Sequence, residues 1–170
     1  MLARPEANEY NEYYGVYTKR VPDGDIIDIL QRQQKETYEL LSGIGAERGS
    51  FRYADGKWSL NEVIGHLNDI ERVFCYRALI AARGDGTPQS GVEQDDLIAS
   101  SNYNSQPLAG VADQFRVTRE ATLSLFRTFD EEVGMRSGTA SDCPFTVRSI
   151  AYIIAGHEIH HVGVLKERYL

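Results

Sequence analysis

Cysteine is nearly absent: Cys75 and Cys143 are the only two in 170 residues. A disulfide-stapled scaffold is excluded on that count, and buried reduced thiols in a cytoplasmic protein are expected instead. No run of Lys or Arg stands out, and the net charge is −7. A nucleic-acid binder needs a basic face to displace the counterions of phosphate, so no nucleic-acid partner is expected. No unbroken apolar run is long enough to span a bilayer, and the first residues lack a basic-then-apolar signal pattern. Neither a membrane partner nor export is therefore expected. What remains is an ordinary globular composition, 42% hydrophobic and 25% charged, in a chain long enough for one domain with a real core.

Apolar spacing of three and four residues dominates the chain and predicts helices. Residues 1–22 are the exception. Tyr10, Tyr13, Tyr14 and Tyr17 fall there without a clean period, which predicts an extended, Tyr-rich arm packed on the domain formed by residues 23–170. Asp23-Gly24-Asp25 then caps a first helix with Ile26, Leu30, Thr37, Leu40, Leu41 and Ile44 on one face, ended by Gly43 and Gly45. The second helix has the clearest start: Ser59 and Glu62 form a capping box, with Trp58 placed to staple onto Val63. Its inward stripe runs Val63, His66, Leu67, Ile70, Val73, Phe74, Ala78 and Ala81. Arg83 to Pro88 breaks it, and a crossover reaches Gln106, with room for a short helix over 95–101. Loops of that length inside a compact domain are uncommon and often functional. A third helix follows Pro107, with Leu108, Val111, Phe115, Thr118, Thr122, Leu125, Phe126 and Phe129 inward, and Arg116, Arg119, Glu120 and Arg127 on the charged face. Residues 136–145 read as a polar loop with room for a short hairpin. The fourth helix starts near Thr146 and turns Ile150, Ile154, His157, His161 and Leu165 inward. Four amphipathic helices and almost no strand pattern predict an all-α four-helix bundle with a long crossover between the second and third helices.

Three of the four histidines crowd into His157-Glu158-Ile159-His160-His161, and the fourth is His66. Positions i and i+4 share a helix face, so His157 and His161 point the same way. If His66 meets them from a neighbouring helix, three imidazoles converge and a fourth coordination position stays open, the ligand count of a catalytic rather than a structural metal site. A single inward His is more often a hydrogen-bonded core residue, but three neutral imidazoles buried together need shared partners, and one divalent cation supplies them. His160, one step around, is expected not to be a ligand. The string also matches HExxH, in which two His hold zinc and the Glu is a general base. Only nine residues follow His161 and none is His, so the downstream third ligand usual for that motif is missing. Glu158 is the candidate catalytic carboxylate. It reads as a general base, as an outer partner of the site or as a solvated helix carboxylate, the last two favoured because it lies about 100° around the helix from His157.

Lys57-Trp58-Ser59 with His66-Leu67-Asn68-Asp69-Ile70-Glu71-Arg72, and Tyr152-Ile153-Ile154-Ala155-Gly156 leading into His157 to His161, together resemble the DinB/YfiT-like superfamily of metal-binding four-helix bundles. Ala82-Arg83-Gly84-Asp85 and Ser101-Asn102-Tyr103-Asn104 are similar to the same subgroup. The resemblance implies that the family's three metal ligands fall on His66, His157 and His161. It implies a thiol-dependent transferase acting with a low-molecular-weight thiol such as bacillithiol or mycothiol, or a metal-dependent hydrolase, and it leaves open a non-enzymatic metal or small-ligand binder. Zinc or nickel suits three imidazoles. A small-molecule substrate and a homodimer through outer helix faces go with the family. Around the mouth of such a site Asn102, Tyr103 and Asn104 of the crossover and Arg119, as an anion contact, are the expected substrate neighbours, each also able to serve only the local backbone.

Overall fold

The computed structural model describes residues 2–170. Its elements in order are α1 (Gly15–Thr18), α2 (Ile26–Ser42), α3 (Leu60–Ala82), α4 (Gln94–Ala99), α5 (Leu108–Phe126), α6 (Glu131–Gly134), the hairpin β1 (Ser137–Ala140) and β2 (Cys143–Thr146), and α7 (Val147–Val164), which continues as a wider π turn over Leu165–Tyr169. Local chemistry sets these starts. The Asp25 carboxylate accepts from Ile27 N at 2.7 Å and opens α2. At α3 the Ser59 hydroxyl accepts from Glu62 N at 3.2 Å and the Glu62 carboxylate accepts from Ser59 N at 2.6 Å, a reciprocal capping box. Thr146 and Ser149 make the same exchange at the head of α7. In the hairpin turn Ser141 and Asp142 both take positive φ, 52° and 59°, matching the twist of a two-residue connection.

The bundle is built from α2, α3, α5 and α7. α2 packs beside α5 and α7, and α3 packs beside the same two. The first and second long helices, α2 and α3, therefore lie across one diagonal and the third and fourth, α5 and α7, across the other, while the crossover carries the chain from α3 to its neighbour α5. The crossover holds α4 as its short helix. Gln89 N donates to Thr139 O at 2.9 Å and Ser141 N to Gln89 O at 3.1 Å, fastening the crossover to the hairpin. At its far end the Asn61 amide donates to the carbonyls of Tyr103 and Gln106. None of the helices is long and apolar enough to cross a membrane among the described residues.

The core divides into two apolar clusters. One gathers Ile26, Leu30, Phe74, Ala78, Phe126 and Ile150; the other gathers Leu41, Leu60, Ile64, Val111, Phe115 and Leu165. On every bundle helix the residues between the two clusters are polar and buried: Gln33 and Thr37 on α2, His66 and Glu71 on α3, Thr118, Arg119 and Thr122 on α5, His157 and Glu158 on α7. A polar layer thus crosses the middle of the bundle. Arg119, expected on the charged outer face of the third helix, is instead fully buried at the centre of that layer. The arm also differs from the extended segment expected. Residues 7–9 and 12–14 form single tight turns that lead into α1, and α1 lies against α7. Four tyrosines can cover a hydrophobic edge from a helical turn as well as from a strand, so composition did not discriminate between them.

Candidate metal centre

His66 sits in the second turn of α3 and His157 in the third turn of the adjacent α7, with His161 one turn further on. The three rings meet. His66 Nε2 and His157 Nε2 are 3.0 Å apart, and one ring nitrogen from each of the three lies within 4.8 Å of the others. Tetrahedral coordination at 2.0–2.1 Å puts two ligand nitrogens about 3.3 Å apart. The trio is therefore gathered to within rotamer adjustments of one cation. Burial holds the imidazoles neutral: it pushes His66 down to about 4, with the charge of His160 adding to the effect, and His161 down to about 3 with help from His66. His157 falls well below its ordinary value for the same reason. Neutral imidazoles present lone pairs, which is the form a metal takes. The donor set and its protonation fit a divalent cation.

Aromatic rings pack against the histidines. Trp58 lies 4.9 Å from His66 between ring centroids, and Tyr17 meets His157 edge-on at 5.4 Å and His160 at 5.5 Å. Two of the three histidines follow a glycine, and both glycines are points of close approach. A Cβ on Gly65 would stand 2.2 Å from the Tyr103 ring, and one on Gly156 would stand 2.1 Å from the Tyr17 carbonyl oxygen. Glycine inside a helix costs about 1 kcal/mol against alanine. Here it lets the crossover rest directly on α3 beside His66, and the arm rest on α7 beside His157.

Cavities open on both sides of the trio. One, of about 250 Å³, has His66 and His157 in its wall with Tyr13, Tyr14 and Tyr17 of the arm, Phe74 and Arg77 of α3, and Val92 and Glu93 of the crossover. The other, of about 380 Å³, is lined by His160 and His161 with Tyr53, Lys57, Trp58, Asp95 and Tyr169. Asn102, Tyr103 and Asn104 line neither cavity. Asn102 and Asn104 are exposed, and the Asn102 carbonyl accepts from the Gln106 amide at 2.7 Å. Tyr103 is buried on Gly65, its hydroxyl donates to Asp69 at 2.7 Å, and burial first, then that bond, push it up to about 12. It braces α3 behind His66.

Glu158 and Arg119 also stand away from the cavities. Glu158 is 2% exposed, so it is not a solvated carboxylate. Its Oε1 accepts from the Thr37 hydroxyl at 2.6 Å and its Oε2 lies 2.7 Å from Arg119 Nη1, at an angle outside hydrogen-bond geometry. Arg119 donates to both oxygens of Glu71, at 2.7 and 2.8 Å, and Thr122 adds a donor to Glu71 at 2.6 Å. Burial raises the Glu158 pKa and outweighs the opposing Arg119 charge. Burial works against the Arg119 charge, yet Glu158 and Glu71 together hold its pKa above the ordinary value. The four bundle helices are tied through these groups at the level of the histidines. Sequence periodicity did not single out Tyr17, Glu71 or Arg77. The isolated glycines inside two helical patterns were the available signal for close approach beside the ligands.

The model of the DinB superfamily matches residues 29–165. Among curated proteins none matches the chain. Among solved structures, YfiT from Bacillus subtilis superposes with a TM-score of 0.70 at 15% identity, over 98% of this chain and 91% of that one; it is described as a "probable metal-dependent hydrolase with an unusual four-helix bundle topology". A DinB-like protein of Bacillus subtilis, YjoA, superposes with a TM-score of 0.58 at 18% identity, over 86% of this chain and 90% of that one. With most of its length matched, from the first turn of α2 to the end of α7, this chain belongs to the DinB superfamily.

Proposed function

We propose that the protein is a metal-dependent enzyme that holds one divalent cation, zinc or nickel, on His66, His157 and His161, and joins a low-molecular-weight thiol to a small electrophile. The observation that carries the reading is the gathering of three neutral imidazoles between two separate cavities. A bound cation supplies a vacant coordination position at which a thiol or a water loses its proton near neutral pH. The chain's own residues do the rest. The imidazoles stay neutral because they are buried, Trp58 and Tyr17 hold two of them by their ring faces and edges, and the arm tyrosines wall the cavity on the His66 and His157 side.

A cavity on each side gives two reactants separate approaches to the imidazoles, which suits a transfer between two molecules larger than water. The protein offers no thiol of its own. Neither cysteine lines either of the two cavities beside the histidines, and burial pushes the Cys75 thiol up to about 12, so it stays protonated and inert. The sulfur therefore comes from a cosubstrate such as bacillithiol or mycothiol, and the electrophile is a small epoxide or antibiotic-like compound. The second reading is a hydrolase of small amides or esters, favoured by the likeness to YfiT.

Two measurements separate the readings. Metal content is measured on untagged protein, and conjugates of bacillithiol, mycothiol or glutathione with a model electrophile are followed by mass spectrometry. A metal-dependent conjugate that disappears in His157→Ala is the expected result. Turnover of esters or amides without added thiol supports the hydrolase. Bound metal with neither product leaves a metal-binding protein and removes the enzymatic reading.

A further inference from the structure

We infer that the cavity on the His66 and His157 side takes a ligand bearing a carboxylate, and that Arg77 receives it. The inference rests on the proposed metal site only for which molecule is turned over; the anion pocket itself is independent of the metal.

Arg77 and Arg119 are the arginines of this chain buried to nine-tenths or more. Arg119 is matched by two carboxylates. Arg77 has no acidic partner among the described residues, although it is only 7% exposed. One of its nitrogens, Nη2, donates to Ser90 O at 3.0 Å, which fixes the guanidinium against the crossover. The Tyr14 hydroxyl also stands against the guanidinium, and it is a neutral partner. A cation held this far out of water without a counter-charge is costly, and the usual remedies are pairing or exposure. Here the partners are neutral, and what exposure the guanidinium keeps is to a cavity.

Its place on α3 aims it along that cavity. Arg77 follows His66 by three helical turns, so the two share a face, with Ile70 and Phe74 between them in the cavity floor. The axial separation is about 16 Å; both side chains lean toward the N-terminus, and the longer arginine reaches further along the axis than the imidazole. A molecule lying on Phe74 and under the tyrosines would reach the guanidinium with one end and the imidazoles with the other. Glu93 also borders the space, but it is exposed and its charge is screened, whereas the charge of Arg77 is not. The planar fork of a guanidinium matches a carboxylate in particular.

The test uses metal-free full-length protein, so that a carboxylate cannot be held by a cation. Binding of hydrocinnamate and of its uncharged amide is followed by calorimetry and by the tyrosine resonances of the arm. Wild type is expected to bind the acid at least tenfold more tightly than the amide, since a charge-assisted bond is worth about that much. Arg77→Met should bring the acid down to the level of the amide, and Arg77→Lys should retain part of the preference. Metal affinity, measured separately by equilibrium dialysis, should be the same in all three. Equal binding of acid and amide by the wild type overturns the inference even if the variants fail to fold, as does a preference that survives in Arg77→Met. Failure of wild-type protein to hold metal would remove the proposed centre while leaving the anion pocket standing.

Discussion

Replacing Arg119 with methionine removes one charge from the middle of the bundle and leaves two carboxylates facing each other out of water. Arg119 is fully buried, with Glu71 oxygens at 2.7 and 2.8 Å and a Glu158 oxygen at 2.7 Å. Removing one side of a buried ion pair costs about 3–5 kcal/mol, a large part of the roughly 5–15 kcal/mol that holds a typical domain together. For a chain of this size about 4 kcal/mol lowers the Tm by roughly 8–16 °C. The sign of the pH dependence follows from the same geometry. Burial already raises Glu158 against the pull of Arg119, so without Arg119 its pKa rises further. A folded-state carboxyl pKa above the unfolded value favours folding on the acid side, so the deficit of R119M should be largest near neutral pH and should shrink as pH falls toward about 4.5. The triple variant R119M/E71Q/E158Q carries no buried charge in the layer and should be less destabilised than R119M alone. Thermal and urea unfolding of the metal-free proteins between about pH 5 and pH 8 measures all of this. If R119M unfolds within about 1 kcal/mol of wild type, or the triple variant is the weaker protein, the layer is not held by its charges and Arg119 is free for another task.

Three further outcomes are expected. Alanine at Gly156 or Gly65 should cost about 1–3 kcal/mol by overpacking, because the added methyl group meets the Tyr17 carbonyl or the Tyr103 ring; limited proteolysis should then find the arm opened in G156A and the crossover in G65A. The Arg148 hydrogen bond, the largest effect, holds the Glu9 carboxyl down at about 2, so the stability it adds is complete above about pH 4.5 and fades as pH falls toward 2; near-ultraviolet dichroism of the arm tyrosines should report its release over that window, and in E9Q no such acid step should appear. A cation that binds only the folded protein raises stability by about 2.7 kcal/mol at a hundred times its Kd, so added zinc or nickel should raise the Tm of wild type and H160A by several degrees and leave that of H157A unchanged.

The helices were legible because a buried stripe repeats every three to four residues and leaves a signal in the sequence. Ser59 with Glu62 located the start of α3, and the spacing of His157 and His161 showed that they share a face. The same rule failed at Arg119. A period assigns a residue to an outer face by its polarity, and a guanidinium among Arg116, Glu120 and Arg127 looks like any other surface charge. Its burial depends on Glu71 and Glu158, which lie 48 and 39 positions away on other helices, and a single sequence carries no record of that pairing. The diagonal placement of α2 against α3 and of α5 against α7 was equally out of reach, since amphipathicity tells which face turns inward but not which neighbour it meets.

The same distinction separates the metal ligands from the pocket around them. The ligands stand on α3 and α7, rigid elements whose geometry is fixed by backbone hydrogen bonds, and that is why spacing alone could propose them. The walls come from residues 7–18 and 87–106, which have little period to read, and they are seated by contacts with single glycines beside His66 and His157. The arm and the crossover contribute none of the three histidines, so a substitution there, outside Tyr17 and Tyr103 which pack beside them, acts first on the space in front of the imidazoles. Ligand choice and substrate choice are thus written in different kinds of structure. Arg77 is the point where they meet: it belongs to the rigid helix that carries His66, yet one of its donors holds the crossover, so a substrate anion bound there would read the position of the wall and the position of the centre together.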